Sequence, residues 1–321
     1  MYKLHLRQEE HDAHLNHAHA ERALYFARLE SYASHNWLGI DHFSIDCMEK
    51  IQLPEFGASP QPSETFFFRN FSVTPHGIFD EVEGTGVVYL HSERFGKTNT
   101  NHVISFLDLS IENKKKTTDN RIVRVNWDNW NGNKSYVTLV YLNTLVEYGK
   151  YDEAEGNFML AGHTKFSPDR MFAWLTELLK SHDIFEVNDI LNIVQTATRL
   201  KSEKERQTSY RVVSAEDVTA DGFSSFFRDY KTQMKNFTHN FKAIAKSHQF
   251  RIHKVNGKTV MDVKEFSDDM TAKRYTFQGL PTLPTLDRIK PIPLKQAKIN
   301  DLRKYLPYIP GHRLSYVPDG P

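Results

Sequence analysis

A single cysteine among 321 residues leaves Cys47 nothing to pair with inside the chain, which excludes an internal disulfide framework and any zinc cluster of several thiolates. That usage fits a reducing compartment. Long apolar runs are missing too. No stretch approaches the length of a membrane-spanning helix, and the opening Met1-Tyr2-Lys3-Leu4-His5 lacks the form of a secretory signal. Neither sign of charge is in excess: 41 Lys and Arg stand against 40 Asp and Glu, so no global field draws a polyanion and any basic surface must be local. Repeats and low-complexity tracts are absent. What is present is a globular composition, 39% hydrophobic and 12% aromatic, long enough for one large domain or two modest ones. A soluble, intracellular chain is expected, with no membrane partner.

Periodicity divides the chain into three. Residues 1–36 read as a helical arm, rich in Ala, Glu, Arg and His, with only a weak apolar stripe from Leu15, Ala18, Leu24, Ala27 and Leu29. Residues 37–182 read as an α/β core. Strands are expected at 43–49, 64–73 and 85–92, separated by Pro54, Gly57, Pro60 and Pro62, then by Pro75, Gly77 and Gly84. A helix follows the capping run Thr98-Asn99-Thr100-Asn101, then a strand ending at Asp128. A helix from Tyr136 to Tyr148 closes at Gly149, a short strand is expected over Phe158–Gly162, and a further helix is expected with Ser167 as its N-cap and Pro168 in its first turn. Residues 183–321 read as an α+β extension. It holds helices over 187–200 and 215–230, a hairpin around Asn256-Gly257, a Pro-rich connector over 281–293 and a short helix ending at Pro307.

Three aspartates stand out in the core. Asp46 interrupts the strand run Phe43-Ser44-Ile45-Asp46-Cys47-Met48, Asp128 ends Ile122-Val123-Arg124-Val125-Asn126-Trp127-Asp128, and Asp169 opens a helix after Gly162-His163-Thr164-Lys165-Phe166-Ser167-Pro168. A carboxylate among apolar strand residues is costly unless a cation or donor meets it. For Asp169 an ordinary structural role suffices, since a helix N-terminus welcomes a carboxylate. Taken together the three suggest a shared divalent ion, Mg²⁺ or Mn²⁺, which prefer carboxylate oxygens. His163 is placed to orient water or simply to close a loop. Lys165, Arg170, Asn129 and Lys134 are the expected substrate contacts, and Glu93 is a further carboxylate. His11, His14 and His17 share a helix face but lack an accompanying carboxylate pattern.

Three strands joined by turns, then helix, strand, helix, strand and helix, resemble the ribonuclease H-like fold of nucleases, integrases and transposases. In that fold the metal-binding carboxylates come from the first strand, the end of the fourth and a late helix, positions that Asp46, Asp128 and Asp169 occupy. Further pieces are Ser44-Ile45-Asp46 followed by Gln52-Leu53-Pro54, then Ser92-Glu93-Arg94-Phe95-Gly96, Asp128-Asn129, the block Gly162-His163-Thr164 with Asp169, and the ending Asp301 to Pro310. With these the chain resembles a family of uncharacterised eukaryotic proteins, many of them transposon-derived or transposon-associated. It departs from that family in two ways. Trp130 stands where the family has a cysteine, in a shortened loop that lacks its glutamine, and the Cys/His-rich sequence often found upstream is absent. The resemblances imply a transposase-type nuclease or strand-transferase acting on nucleic acid, DNA before RNA, in the nucleus. A homo-oligomer is an open alternative, and so is a catalytically silent, domesticated binding or scaffolding protein.

Overall fold

The computed structural model describes residues 2–33, 39–116, 118–160, 162, 166–204, 211–217, 227–234, 241, 243–277, 286–312 and 314–317. Helix α1 (Tyr2–Ala33) precedes β1 (Ile40–Cys47), β2 (Ile51–Leu53), β3 (Glu55–Phe56), β4 (Phe71–Asp80) and β5 (Thr85–Ser92). Then come α2 (Thr100–Lys115), β6 (Ile122–Trp127), α3 (Tyr136–Glu147), β7 (Glu153–Phe158) and α4 (Ser167–Lys180). The remainder comprises β8 (Asp183–Ile184), α5 (Val187–Lys204), β9 (Arg211–Asp217), α6 (Tyr230–Met234), β10 (Gln249–Val255), β11 (Lys258–Lys264), β12 (Lys273–Thr276) and α7 (Gln296–Tyr305).

One mixed sheet takes every strand named except β3 and β8, which pair with each other; its order is β12-β11-β10-β7-β6-β1-β4-β5-β9, with β2 paired to β4. β1, β4 and β5 form an antiparallel meander, while β6 lies parallel to β1 and β7 parallel to β6. The two parallel steps require crossovers, and α2 and α3 supply helices for them. Strands β9 to β12, all beyond residue 182, are built into the same sheet. The hairpin β10–β11 extends the β7 edge and β9 the β5 edge. Its turn falls on Asn256 and Gly257, both at positive φ (51° and 75°), as a two-residue hairpin requires.

Alternation along the strands sorts the core. Phe43, Ile45, Val123, Val125, Trp127, Ala154 and Phe158 pack with α2 and α3 on one face. On the other, Val73, Val88 and Leu90 pack with α4 and α5. Helix α3 follows its capping residue Ser135, which accepts the Thr138 N–H at 3.2 Å, and Asn99 likewise caps α2 through the Asn101 N–H at 2.9 Å.

Three expected elements are corrected. Residues 63–67 form a 3-10 turn, and the strand expected over 64–73 instead runs from Phe71 to Asp80, through Pro75 and Gly77. Pro75 is tolerated because it sits where β4 changes neighbour, from β2 at residues 71–73 to β1 from His76 onward, and its carbonyl accepts the Met48 N–H at 3.0 Å. The strand expected at 158–162 lies earlier, at Glu153–Phe158, and residues 215–217 of an expected helix are strand β9.

A row of imidazoles crosses the α2 face. His76, His91 and His102 are buried, with ring centroids 4.9 and 4.6 Å apart. Neither ring nitrogen of His91 makes a well-formed hydrogen bond; the Thr74 backbone beside it acts to raise its pKa, but burial, with His76 and His102 alongside, holds it well below the ordinary value. An unsatisfied buried polar group costs roughly 1–3 kcal/mol, so His91→Leu is expected to stabilise the protein by about 1–2 kcal/mol near pH 8. Below about pH 6.5 the unfolded His91 takes a proton that the native state refuses, so the gain grows near pH 5.5. Urea unfolding at both pH values checks this; a variant less stable than wild type would contradict it.

Candidate functional site

Polar residues occupy alternate positions of β1 and β6: His42, Ser44 and Asp46 on one, Arg124, Asn126 and then Asp128 on the other. Both sets point away from the α2–α3 core. Ile45 pairs with Trp127, so Asp46 and Asp128 are the next residues on neighbouring parallel strands, which lie roughly 4.8 Å apart. Across the other edge of β1, Asp46 pairs with Gly77. A Cβ on Gly77 would sit 2.3 Å from Met171 Cε and 2.8 Å from Phe172 Cζ, so α4 lies directly on the strand there. Directly opposed residues share a face. Asp46 therefore shares the face that α4 covers, and the first turn of α4 carries Asp169.

Each carboxylate is held locally. Asp46 Oδ1 accepts its neighbour's N–H, from Cys47, at 2.8 Å. Asp128 Oδ1 accepts the Trp130 N–H at 3.2 Å and the Asn133 side-chain amide. Asp169 Oδ2 accepts the Phe166 N–H at 3.0 Å, closing the start of α4; Ser167, expected as the cap, is the first helical residue and its hydroxyl donates to Glu81. The three share an electrostatic field. Burial, then the charges of Asp128 and Asp169, push the Asp46 carboxyl up to about 7 against the lowering effect of the Cys47 N–H. Burial also raises Asp128. Among the described residues, however, no group of three or more His, Cys, Asp and Glu side chains is disposed to hold one metal ion. The neighbouring Cys47 thiol is pushed up to about 12 by burial and by Asp46, so it carries its proton near neutral pH.

The other expected residues scatter. His163 and Lys165 lie outside the described residues. Asn129 is partly exposed on the loop after β6, and Arg170 is exposed on the first turn of α4, where its charge acts on Glu81. Lys134, expected at the substrate, is instead buried, donating to the Ala245 carbonyl at 3.1 Å, with burial lowering its pKa to about 8. Glu93 is bound to Lys298 of α7 and accepts the Ser72 N–H at 2.9 Å, a structural role. His17 stacks on Phe266 with ring centroids 3.7 Å apart and pairs with Asp268 at 3.1 Å, so it docks the arm.

What sequence reasoning missed is how that arm docks. Helix α1 covers the polar side of β1, β6 and β7 through a buried hydrogen-bonded network. Arg124 grips Glu155 at 2.7 and 2.8 Å, Arg28 of α1 reaches the same carboxylate at 3.0 Å, and the Tyr32 hydroxyl accepts from Arg124 at 2.7 Å and bonds His42 at 2.9 Å. Closer to the acids, Tyr25 donates to Glu81 at 2.7 Å, and Ser167 donates to the same carboxylate at 2.8 Å. Burial alone would raise Glu155, but Arg124 and Arg28 outweigh it and bring it down to about 2. The available signal was the pairing of a weak apolar stripe on α1 with polar residues at alternate strand positions.

The elevated Asp46 has a consequence for stability. Between about pH 4 and 7 the native carboxyl keeps a proton that the unfolded chain has released, so its contribution falls as pH rises through that window. Asp46→Asn cannot ionise. The apo variant is expected to be more stable than wild type near pH 8, by on the order of 2–4 kcal/mol, with the two converging near pH 5. Chemical denaturation at both pH values measures this, and a pH-independent difference would contradict it.

Comparison with known proteins adds a family and no chemistry. No curated protein and no solved structure matches the chain. A family model described as a domain of unknown function, DUF7869, matches residues 70–269, which include Asp128 and Asp169 and begin after β1 and its Asp46. That match spans most of the sheet and more than half of the sequence, and the chain belongs to the DUF7869 family.

Proposed function

We propose that this protein is a metal-dependent phosphodiester nuclease or strand-transferase of transposase type, acting on nucleic acid, DNA before RNA, on a ribonuclease H-like core. The observation that carries this reading is that Asp46 and Asp128 each follow the last registered pair of two adjacent parallel strands, Ile45 with Trp127, and that the charges of Asp128 and Asp169 both act on Asp46. A meander followed by two parallel strands, with acids on the first strand, after the fourth of this series and on the late helix, is the arrangement the ribonuclease H-like resemblance leads one to expect.

The donor set suits a hard divalent cation. Asp46 and Asp128 present carboxylate oxygens, and each binds its local donors through Oδ1. Asp46 also carries an uncompensated electrostatic cost that a cation would remove. Mg²⁺ or Mn²⁺ would be held by Asp46 and Asp128, with Asp169 contributing to a second position. Bound there, such ions supply activation of a water or 3′-hydroxyl and stabilisation of the leaving oxygen. The chain's own part is to hold the two carboxylates at the ends of neighbouring strands, each fixed by local N–H donors.

One observation favours a second reading, the catalytically silent scaffold: no three described side chains converge on a single ion position. Incubating the protein with labelled single- and double-stranded DNA and RNA, in Mn²⁺ or Mg²⁺ and with a chelator control, separates the two. The nuclease reading expects metal-dependent cleavage of at least one substrate, abolished by the chelator. Intact substrates under every condition favour the scaffold.

A further inference from the structure

We propose that Trp130 is a stacking platform for an unpaired nucleobase, so that the site takes single-stranded or locally opened nucleic acid. The inference rests on the nuclease reading above and specifies its substrate. Trp130 follows Asp128 by two residues and is 41% exposed, an unusual place for the largest apolar side chain. It is also tightly seated. Its N–H donates to Asp128 Oδ1 at 3.2 Å, and its carbonyl accepts the N–H groups of Asn133 and Lys134, both at 2.9 Å. The six-membered ring lies over Gly132, where a Cβ would come within 2.1–2.5 Å of three of its carbons. Gly132 is itself pinned to α2, its carbonyl accepting the Thr100 hydroxyl at 2.8 Å.

A solitary exposed tryptophan on a mobile loop would be unremarkable. Here one side of the indole is seated on glycine backbone and the loop's hydrogen bonds end on a carboxylate of the proposed centre. That leaves a fixed aromatic face on the loop that holds Asp128. Stacking on such a face suits any base, because every base has a π-surface, but the base must be out of a duplex to reach it. Cations for the adjoining backbone are at hand. Lys50 and Lys97 are exposed on the segments after β1 and before α2; the charge of Lys50 acts on Cys47, and Thr98, next to Lys97, bonds the Cys47 side chain.

Fluorescence anisotropy in chelator, where no cleavage occurs, tests this with labelled oligo-dT, oligo-rU and a blunt DNA duplex. Trp130→Ala is expected to bind single strands about tenfold more weakly than wild type with duplex binding unchanged, and Trp130→Phe to stay within about twofold. Gly132→Ala, which drives the ring off its seat, should reproduce the Trp130→Ala loss. Single-strand binding unaffected by Trp130→Ala, an equal loss on duplex, or a Trp130→Phe defect as large as that of alanine each overturns the proposal. Absence of single-strand binding by wild type overturns it as well. The nuclease reading is judged separately, by metal-dependent cleavage.

Discussion

Asp46→Asn and Asp128→Asn are each expected to reduce Mn²⁺-dependent cleavage by a factor of about a thousand or more, corresponding to several kcal/mol of lost transition-state stabilisation. Both substitutions are nearly isosteric. Asparagine retains a side-chain oxygen, so the bond from the Cys47 N–H to residue 46 and those from Trp130 and Asn133 to residue 128 survive. Only the negative charge is removed. Because apo Asp46→Asn is expected to be the more stable protein near neutral pH, lost activity in that variant is not attributable to unfolding. Equal rates for wild type and both variants would sink the assignment of these residues.

Glu155→Gln carries the largest expected loss of stability, about 3–5 kcal/mol, because it leaves the buried Arg124 and the partly buried Arg28 guanidiniums without their shared counter-charge. Gln can still accept one hydrogen bond, but it cannot neutralise two cations in a site that excludes water. The loss should fall unevenly. Arg28 belongs to α1 and Arg124 to β6, so the substitution removes the ion pair between helix and sheet. Limited proteolysis is expected to cut within residues 8–33 sooner than in wild type, alongside a lower urea midpoint. A destabilisation under about 1 kcal/mol would mean that the network is replaceable by solvent.

Several features were legible in the residues because local chemistry dictates them. The Asn256-Gly257 turn required positive φ and obtained it, the capping run holds Asn99, which starts α2, and the strand leading to Asp128 alternates Val123, Val125 and Trp127 with Arg124 and Asn126. That alternation also puts Asp128 on the polar face. What was not legible depends on distant partners. Pro75 and Gly77 read as a turn, yet Pro75 sits where β4 trades one neighbour for another, and Gly77 is small because Met171 and Phe172 lie on it. The Phe-rich run at 66–68 mimics a strand, although Phe66 and Phe67 are exposed. Docking of α1 was hidden because its adhesive is ionic and hydrogen-bonded, so a search for an apolar stripe finds little. Burial of Lys134 follows from the segment at 243–248, more than a hundred residues away in sequence.

If Asp46 and Asp128 form a cation site, their charge is uncompensated without the ion. Thermal unfolding near pH 8 with and without millimolar Mn²⁺, on wild type, Asp46→Asn and Asp128→Asn, addresses it most directly. A cation that binds only the native state stabilises it by about 2.7 kcal/mol when free metal is a hundredfold above its dissociation constant. A higher wild-type melting temperature in Mn²⁺ is expected, with little or no rise in either variant and an order of stability between wild type and Asp46→Asn that narrows or reverses when metal is added. A wild-type melting temperature unmoved by Mn²⁺, or raised equally in all three proteins, would contradict it.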